Sequence, residues 1–200
     1  MKEIERICVF CGSKSGDNPA FEENARLFGE ILGKNNIELV YGAGGTGIMK
    51  AVAESAKKSG ARVTGMTIEP LFNIERPDLF QEDMDNLQIF HRLFARKVAM
   101  TAASDAFVVL PGGLGTMDEL FELMVLKQLN LLHKPIIILN IDGFFNPLRA
   151  LITHLQETGF VRPEHTKVAI ITNDVNQIIP LIEEEIKQIK KDHPKDENQA

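Results

Sequence analysis

Between an apolar run and a helical pattern the chain carries Pro111-Gly112-Gly113-Leu114-Gly115-Thr116-Met117-Asp118-Glu119. These residue types at this spacing suit an anion, because glycines let backbone N–H groups close on a phosphate and the positive end of a helix favours its charge. The same residues also read as a tight strand-to-helix connection, with Thr116 as N-cap and Glu119 closing a capping box. Spacing alone leaves both open. In the first turn of a helix the unpaired N–H groups would keep Glu119 ionised. A carboxylate fixed beside a phosphate cradle suits stabilising an oxocarbenium-like sugar or activating water, which points to cleavage of a C–N bond.

Two further turns after apolar runs carry candidate residues. Gly42-Ala43-Gly44-Gly45-Thr46-Gly47 matches G-x-G-x-x-G, but it follows the second strand, and no acidic residue ends the next strand where a ribose contact belongs. A second wall of a mononucleotide pocket, through Gly44, Gly45 and Thr46, is the better reading. Ser13, after Cys11-Gly12, lacks the G-x-S-x-G setting of a nucleophile and reads as a phosphate-facing hydroxyl or a turn residue. Arg96 and Lys97 form an adjacent basic pair; such pairs usually face solvent, yet an Arg aimed into an anion site binds phosphate or carboxylate with two parallel hydrogen bonds. The histidines have no metal-like arrangement, so neither a metal nor another cofactor is expected. Cys8 and Cys11 lie three apart on a strand and point to opposite faces, which predicts buried structural thiols.

The elements that must position these residues alternate. Apolar, β-branched runs at Arg6–Phe10, Glu38–Tyr41, Arg62–Thr67, Ala106–Leu110, Pro135–Asn140 and Val168–Thr172 predict strands. Helical spacing covers Phe21–Lys34, Ile48–Ser59, Arg92–Ala103, Met117–Leu132, Pro147–Glu157 and Val175–Lys191. Gly33 and Gly60 fall where helices would stop, and Asp174 is placed to cap the last one. The alternation implies an α/β fold: a doubly wound parallel sheet with helices on both faces. Ligands then bind beyond the carboxyl ends of the strands, where the glycine turns lie. The acidic stretch Glu69–Asn86, with Pro70 and Pro77, reads as an irregular loop or lid, and residues 193–200 as a disordered tail. One nucleotide-binding domain over residues 1–192 is expected.

Bulk composition narrows the partners. With 200 residues, 44% of them hydrophobic, the chain can bury one good core. A net charge of -6 argues against a nucleic-acid partner while leaving room for a small phosphorylated ligand. No apolar signal core opens the chain and no apolar run approaches the roughly 20 residues of a membrane span, so the cytoplasm is the expected compartment.

With these residues in view, the sequence resembles the LOG ("lonely guy") family of cytokinin riboside 5'-monophosphate phosphoribohydrolases. The likeness is carried by Arg6–Ser13, Val40-Tyr41-Gly42, the Arg96-Lys97 pair, the P-G-G-x-G-T-x-x-E signature at Pro111–Glu119, His133-Lys134-Pro135 and Asn140–Phe145. It implies a Rossmann-like single domain and a hydrolase that splits a purine nucleoside 5'-monophosphate into free base and ribose 5-phosphate. Arg96 and Glu119 would be catalytic. Lys97 and Gly113–Glu119 would contact substrate, as would Asp78, at the spacing of an acidic residue that is usually Glu. The resemblance further implies a homodimer with its sites near the subunit interface. Ala43 and Lys50 stand in place of glycines, Phe94 in place of a frequent His, and Thr67-Ile68-Glu69-Pro70 departs from I-P-K, so the preferred base stays open. Similar sequences have been labelled lysine decarboxylases, yet nothing in this chain supports pyridoxal phosphate held by a lysine. Two rivals remain: a non-catalytic nucleotide or molybdenum-cofactor carrier, and a dinucleotide-dependent enzyme.

Overall fold

The computed structural model describes residues 4–71 and 84–193. Seven parallel strands form one sheet: β1 (Arg6–Phe10), β2 (Glu38–Tyr41), β3 (Val63–Ile68), β4 (Asn86–Phe90), β5 (Ala106–Val109), β6 (Ile136–Leu139) and β7 (Ile170–Thr172). Their spatial order is β4-β3-β2-β1-β5-β6-β7. Every neighbouring pair is parallel. Among the described residues these α-helices cover it: α1 (Pro19–Lys34), α2 (Gly47–Lys58), α3 (Leu93–Ala103), α4 (Leu114–Gln128), α5 (Asn146–Glu157) and α6 (Ile178–Asp192).

The central strands are apolar on both faces because both are covered. Side chains of α1, α2 and α6 join one core with Ile7, Val9, Leu39, Tyr41 and Val108. Those of α3, α4 and α5 join the other with Cys8, Phe10, Phe107, Val109 and Ile138. Cys8 and Cys11 are buried on opposite faces of the sheet, as their spacing predicts. Asp174 accepts from Asn176 N at 2.9 Å and caps the short helical turn that leads into α6.

The sequence expectations need four corrections. The stretch assigned as loop up to Asn86 borders β4, which pairs with β3 but lies at the sheet edge; its mixed burial hides it among the acidic residues before it. Gly33 does not end α1, which runs to Lys34 and turns at Asn36, φ +52°. Gly33 is instead where α1 meets the end of α2: a Cβ there would lie 2.4 Å from Ser59. The C-terminal pattern from Val168 becomes a strand only at Ile170.

The fourth correction concerns the signature: α4 begins at Leu114 with Gly113 as N-cap, so Thr116 is not the cap and no capping box forms. Glu119 is therefore the sixth helical residue, beyond the unpaired N–H groups of the first turn. Of the expected tail, His193 stacks on His133 with ring centroids 3.9 Å apart; residues 194–200 lie outside the described residues. Among the described residues no helix is long and apolar enough to cross a membrane.

Candidate active site

The direction of winding across the sheet reverses between β1 and β5. That reversal opens a crevice at the carboxyl ends of these strands. There the β1–α1 and β5–α4 turns meet backbone to backbone: Gly12 N donates to Pro111 O at 3.0 Å. A Cβ on Gly112 would lie 2.8 Å from Gly12 N and 2.1 Å from Thr116 Oγ1, so only glycine fits. The third wall comes from the start of α2, where Met49 N donates to Gly12 O at 3.1 Å.

These elements enclose a cleft of about 580 Å³. Cys11 to Gly16 line one side and Pro111 to Thr116 the other. Phe21, Ile48, Met49, Leu71 and Phe144 add apolar surface. Phe21 and Phe144 meet edge to face, centroids 5.5 Å apart. Arg96 and Glu119 complete the lining.

Arg96 and Glu119 are 5% and 8% exposed, and Arg96 Nη2 lies 3.3 Å from Glu119 Oε1. Arg96 Nε donates to Met66 O at 2.8 Å, which fixes the plane of the guanidinium. A buried ion pair is a poor stabilising device, since desolvating both charges offsets their attraction. Its place on the wall of the cleft gives it a chemical use instead: a cation and a carboxylate held rigid, out of bulk water, beside the glycine turn that leads into α4.

The remaining sequence candidates are distributed around this pair. Ser13, Gly112, Gly113, Leu114, Gly115 and Thr116 line the cleft together with Arg96 and Glu119. Gly44, Gly45 and Thr46 do not line it; Thr46 Oγ1 donates to Ser13 O at 2.7 Å, tying the second glycine turn to the first. Met117 packs against the core. Lys97 Nζ lies 3.0 Å from Asp118 and pairs also with Glu122, clamping α3 to α4 outside the cleft. Burial pushes the Lys97 pKa down, but the hydrogen bonds and charge of Glu122 and Asp118 outweigh it and the net shift is upward. Asp78 lies outside the described residues.

Sequence reasoning gave no site role to Lys14, Phe21, Ile48 and Met49, and named Gly42 only as part of the second glycine turn. Gly42 carried a readable signal, since it ends β2 directly, where the carboxyl ends of the strands face the ligand.

Fold and site together define a doubly wound α/β protein with a glycine-rich turn at the switch point and a buried Arg–Glu pair beside it. Residues 49–182 match the protein family described as "Possible lysine decarboxylase". The probable cytokinin riboside 5'-monophosphate phosphoribohydrolase LOGL2 of Oryza sativa subsp. japonica is 35% identical over 181 residues, 90% of this chain and 73% of its own. The cytokinin riboside 5'-monophosphate phosphoribohydrolase LOG7 of Arabidopsis thaliana is 34% identical over 181 residues, 90% of this chain and 82% of its own. The chain belongs to this LOG family, the same family that carries the lysine decarboxylase description. Among solved structures, the molybdenum cofactor binding protein from Rippkaea orientalis superposes with a TM-score of 0.68 at 22% identity, over 92% of this chain and 98% of its own. The molybdenum cofactor carrier protein from Chlamydomonas reinhardtii gives 0.68 at 16% identity, over 92% and 99%. At such identity the likeness is one of fold.

Proposed function

We propose that this protein is a nucleoside 5'-monophosphate phosphoribohydrolase that converts a purine nucleotide and water into the free base and ribose 5-phosphate. The observation that carries the reading is the buried Arg96–Glu119 pair on the wall of the glycine-turn cleft. The 5'-phosphate sits against Gly112 to Thr116, with Ser13 opposite. As the C1'–N bond breaks, its electron pair leaves with the base and positive charge grows on the ribosyl ring. Glu119 stabilises that charge and positions water, whose oxygen bonds to C1' and whose protons pass to the base and the new hydroxyl. Arg96 orients Glu119 and offsets the charge on the departing base. AMP and adenine nucleotides with apolar N6 substituents both suit the apolar wall of Phe21, Met49 and Phe144.

In this reading Lys97 and Asp118 act as a clamp between α3 and α4 rather than as substrate contacts, while Asp78 keeps its expected place as one. The homodimer belongs to the same proposal. It is supported by Leu93, Phe94 and Val98 on α3 and Phe121 and Val125 on α4, all exposed apolar side chains. The cytoplasm is its proposed compartment.

The test is to incubate the protein with AMP, isopentenyl-AMP and the other nucleoside monophosphates and to resolve the products by chromatography. The proposal expects free base and ribose 5-phosphate in equal amounts. Tight nucleotide binding with no product would favour a carrier.

A further inference from the structure

We propose that Lys14 is the residue by which this cleft selects a 5'-phosphate, its ammonium neutralising the ester so that nucleoside monophosphates are taken and nucleosides are not. The inference rests on the phosphoribohydrolase reading and adds a specificity residue to it.

The first ground is charge. Among the described residues lining the cleft, only Lys14, Arg96 and Glu119 are charged. Arg96 and Glu119 face each other, and the remaining Arg96 bond goes to Met66 O. A phosphate dianion entering beside this pair would meet one carboxylate for every guanidinium, and so no net positive charge from the two together, in a protein whose net charge is already -6. Backbone N–H groups supply partial charges only. Lys14 supplies a whole one, at the rim of the same cleft and on the turn that faces Gly112 to Thr116.

The second ground is that the fold fixes where Lys14 stands. Gly47, at φ +57°, opens α2 directly against it: a Cβ there would lie 2.4 Å from the Lys14 carbonyl carbon. On the other side a Cβ on Gly12 would come within 3.0 Å of Lys14 O. Thr46 holds the preceding carbonyl, that of Ser13, at 2.7 Å. The backbone of Lys14 is thus gripped from both sides while its side chain stays exposed. Its neighbour Ser15 is turned elsewhere, hydrogen-bonding Glu22 and lowering that carboxyl's pKa. A long, strongly hydrated point charge on a rigid base is suited to a phosphate at an open cleft mouth, where a bidentate fork is not required.

Lys14→Met removes the charge and keeps the length, and Lys14→Arg restores the charge. Steady-state kinetics with AMP and with adenosine, beside equilibrium binding of ribose 5-phosphate, form the experiment. The expected result for Lys14→Met is a KM for AMP raised about 10–100-fold with kcat within about threefold, as loss of a charge-assisted contact made equally in ground and transition states requires. The kcat/KM for adenosine stays unchanged, and Lys14→Arg returns the KM for AMP to within about threefold of wild type. A Lys14→Met protein with wild-type KM for AMP overturns the proposal. Should wild type release no base from any nucleotide, the hydrolase reading falls by itself. Ribose 5-phosphate binding then still decides Lys14: weakening by about tenfold or more in Lys14→Met upholds it, and equal binding overturns it.

Discussion

Gly42 leaves the space that Arg96 occupies: a Cβ on Gly42 would lie 2.6 Å from Arg96 Nη2. The end of β2 is thereby a seat for the guanidinium, which Met66 O holds on one side and Glu119 on another. Gly42 is absent from the residues with positive φ, so its role here is one of space rather than backbone conformation.

Gly42→Ala tests this seat. The added methyl must shift the end of the Arg96 side chain that bonds Glu119, and misplacement of a catalytic group by about 1 Å typically costs about 100-fold in rate. The expected outcome is a kcat lowered by roughly 10–100-fold with KM for AMP changed by less than about threefold, measured on protein whose melting curve remains cooperative. Wild-type kcat in this variant would show that the guanidinium has room to spare.

Lys97 separates clamp from contact. Its side chain is 14% exposed and faces Asp118 and Glu122, of which Asp118 is mostly in solvent. Lys97→Met is expected to lower the unfolding free energy by about 1 kcal/mol and to leave KM for AMP within about threefold. The sign of the pH effect follows from the raised pKa. A Lys held charged in the folded state gives stability that is fully present below its ordinary 10.5 and lost as pH rises through the higher folded value. Denaturant titrations of wild type and variant should therefore converge above pH 10.5. A large KM increase would return Lys97 to the substrate.

Cys8, buried with side chains of α3 and α4, gives a second pH dependence. Burial raises its pKa well above 9.0, the Glu119 charge adds to this, and Arg96 counters part of it. Above pH 9.0 the unfolded chain loses this proton and the folded chain keeps it, so stability falls as pH rises, by up to about 1.4 kcal/mol per pH unit. Between pH 8 and pH 10 the unfolding free energy of Cys8→Ala is expected to fall less steeply than that of wild type. Equal slopes would mean that the thiol titrates normally.

The central sheet was legible because its physics is local. Ile136–Leu139 is apolar at every position, as a strand covered on both faces must be, and the alternation with helical patterns leaves few topologies. Edge strand β4 was not legible, since polar Asn86 and Gln88 break the apolar run that marks its neighbours. The signature residues could be read, but not the start of their helix. Gly115 was taken as part of the turn, although glycine in a first helical turn costs little and α4 runs through it. That Arg96 turns inward while Lys97 turns to Asp118 and Glu122 depends on three carboxylates of α4 and on the Met66 carbonyl of β3. No spacing along the chain encodes it.

The most direct test of the account is Glu119→Gln, which keeps shape and most hydrogen bonding while deleting the charge said to stabilise the ribosyl cation. The expected kcat for AMP is lowered about 100-fold or more, with the Kd of AMP, measured calorimetrically on the same protein, within about threefold of wild type. A Glu119→Gln protein that releases adenine at the wild-type rate would contradict it.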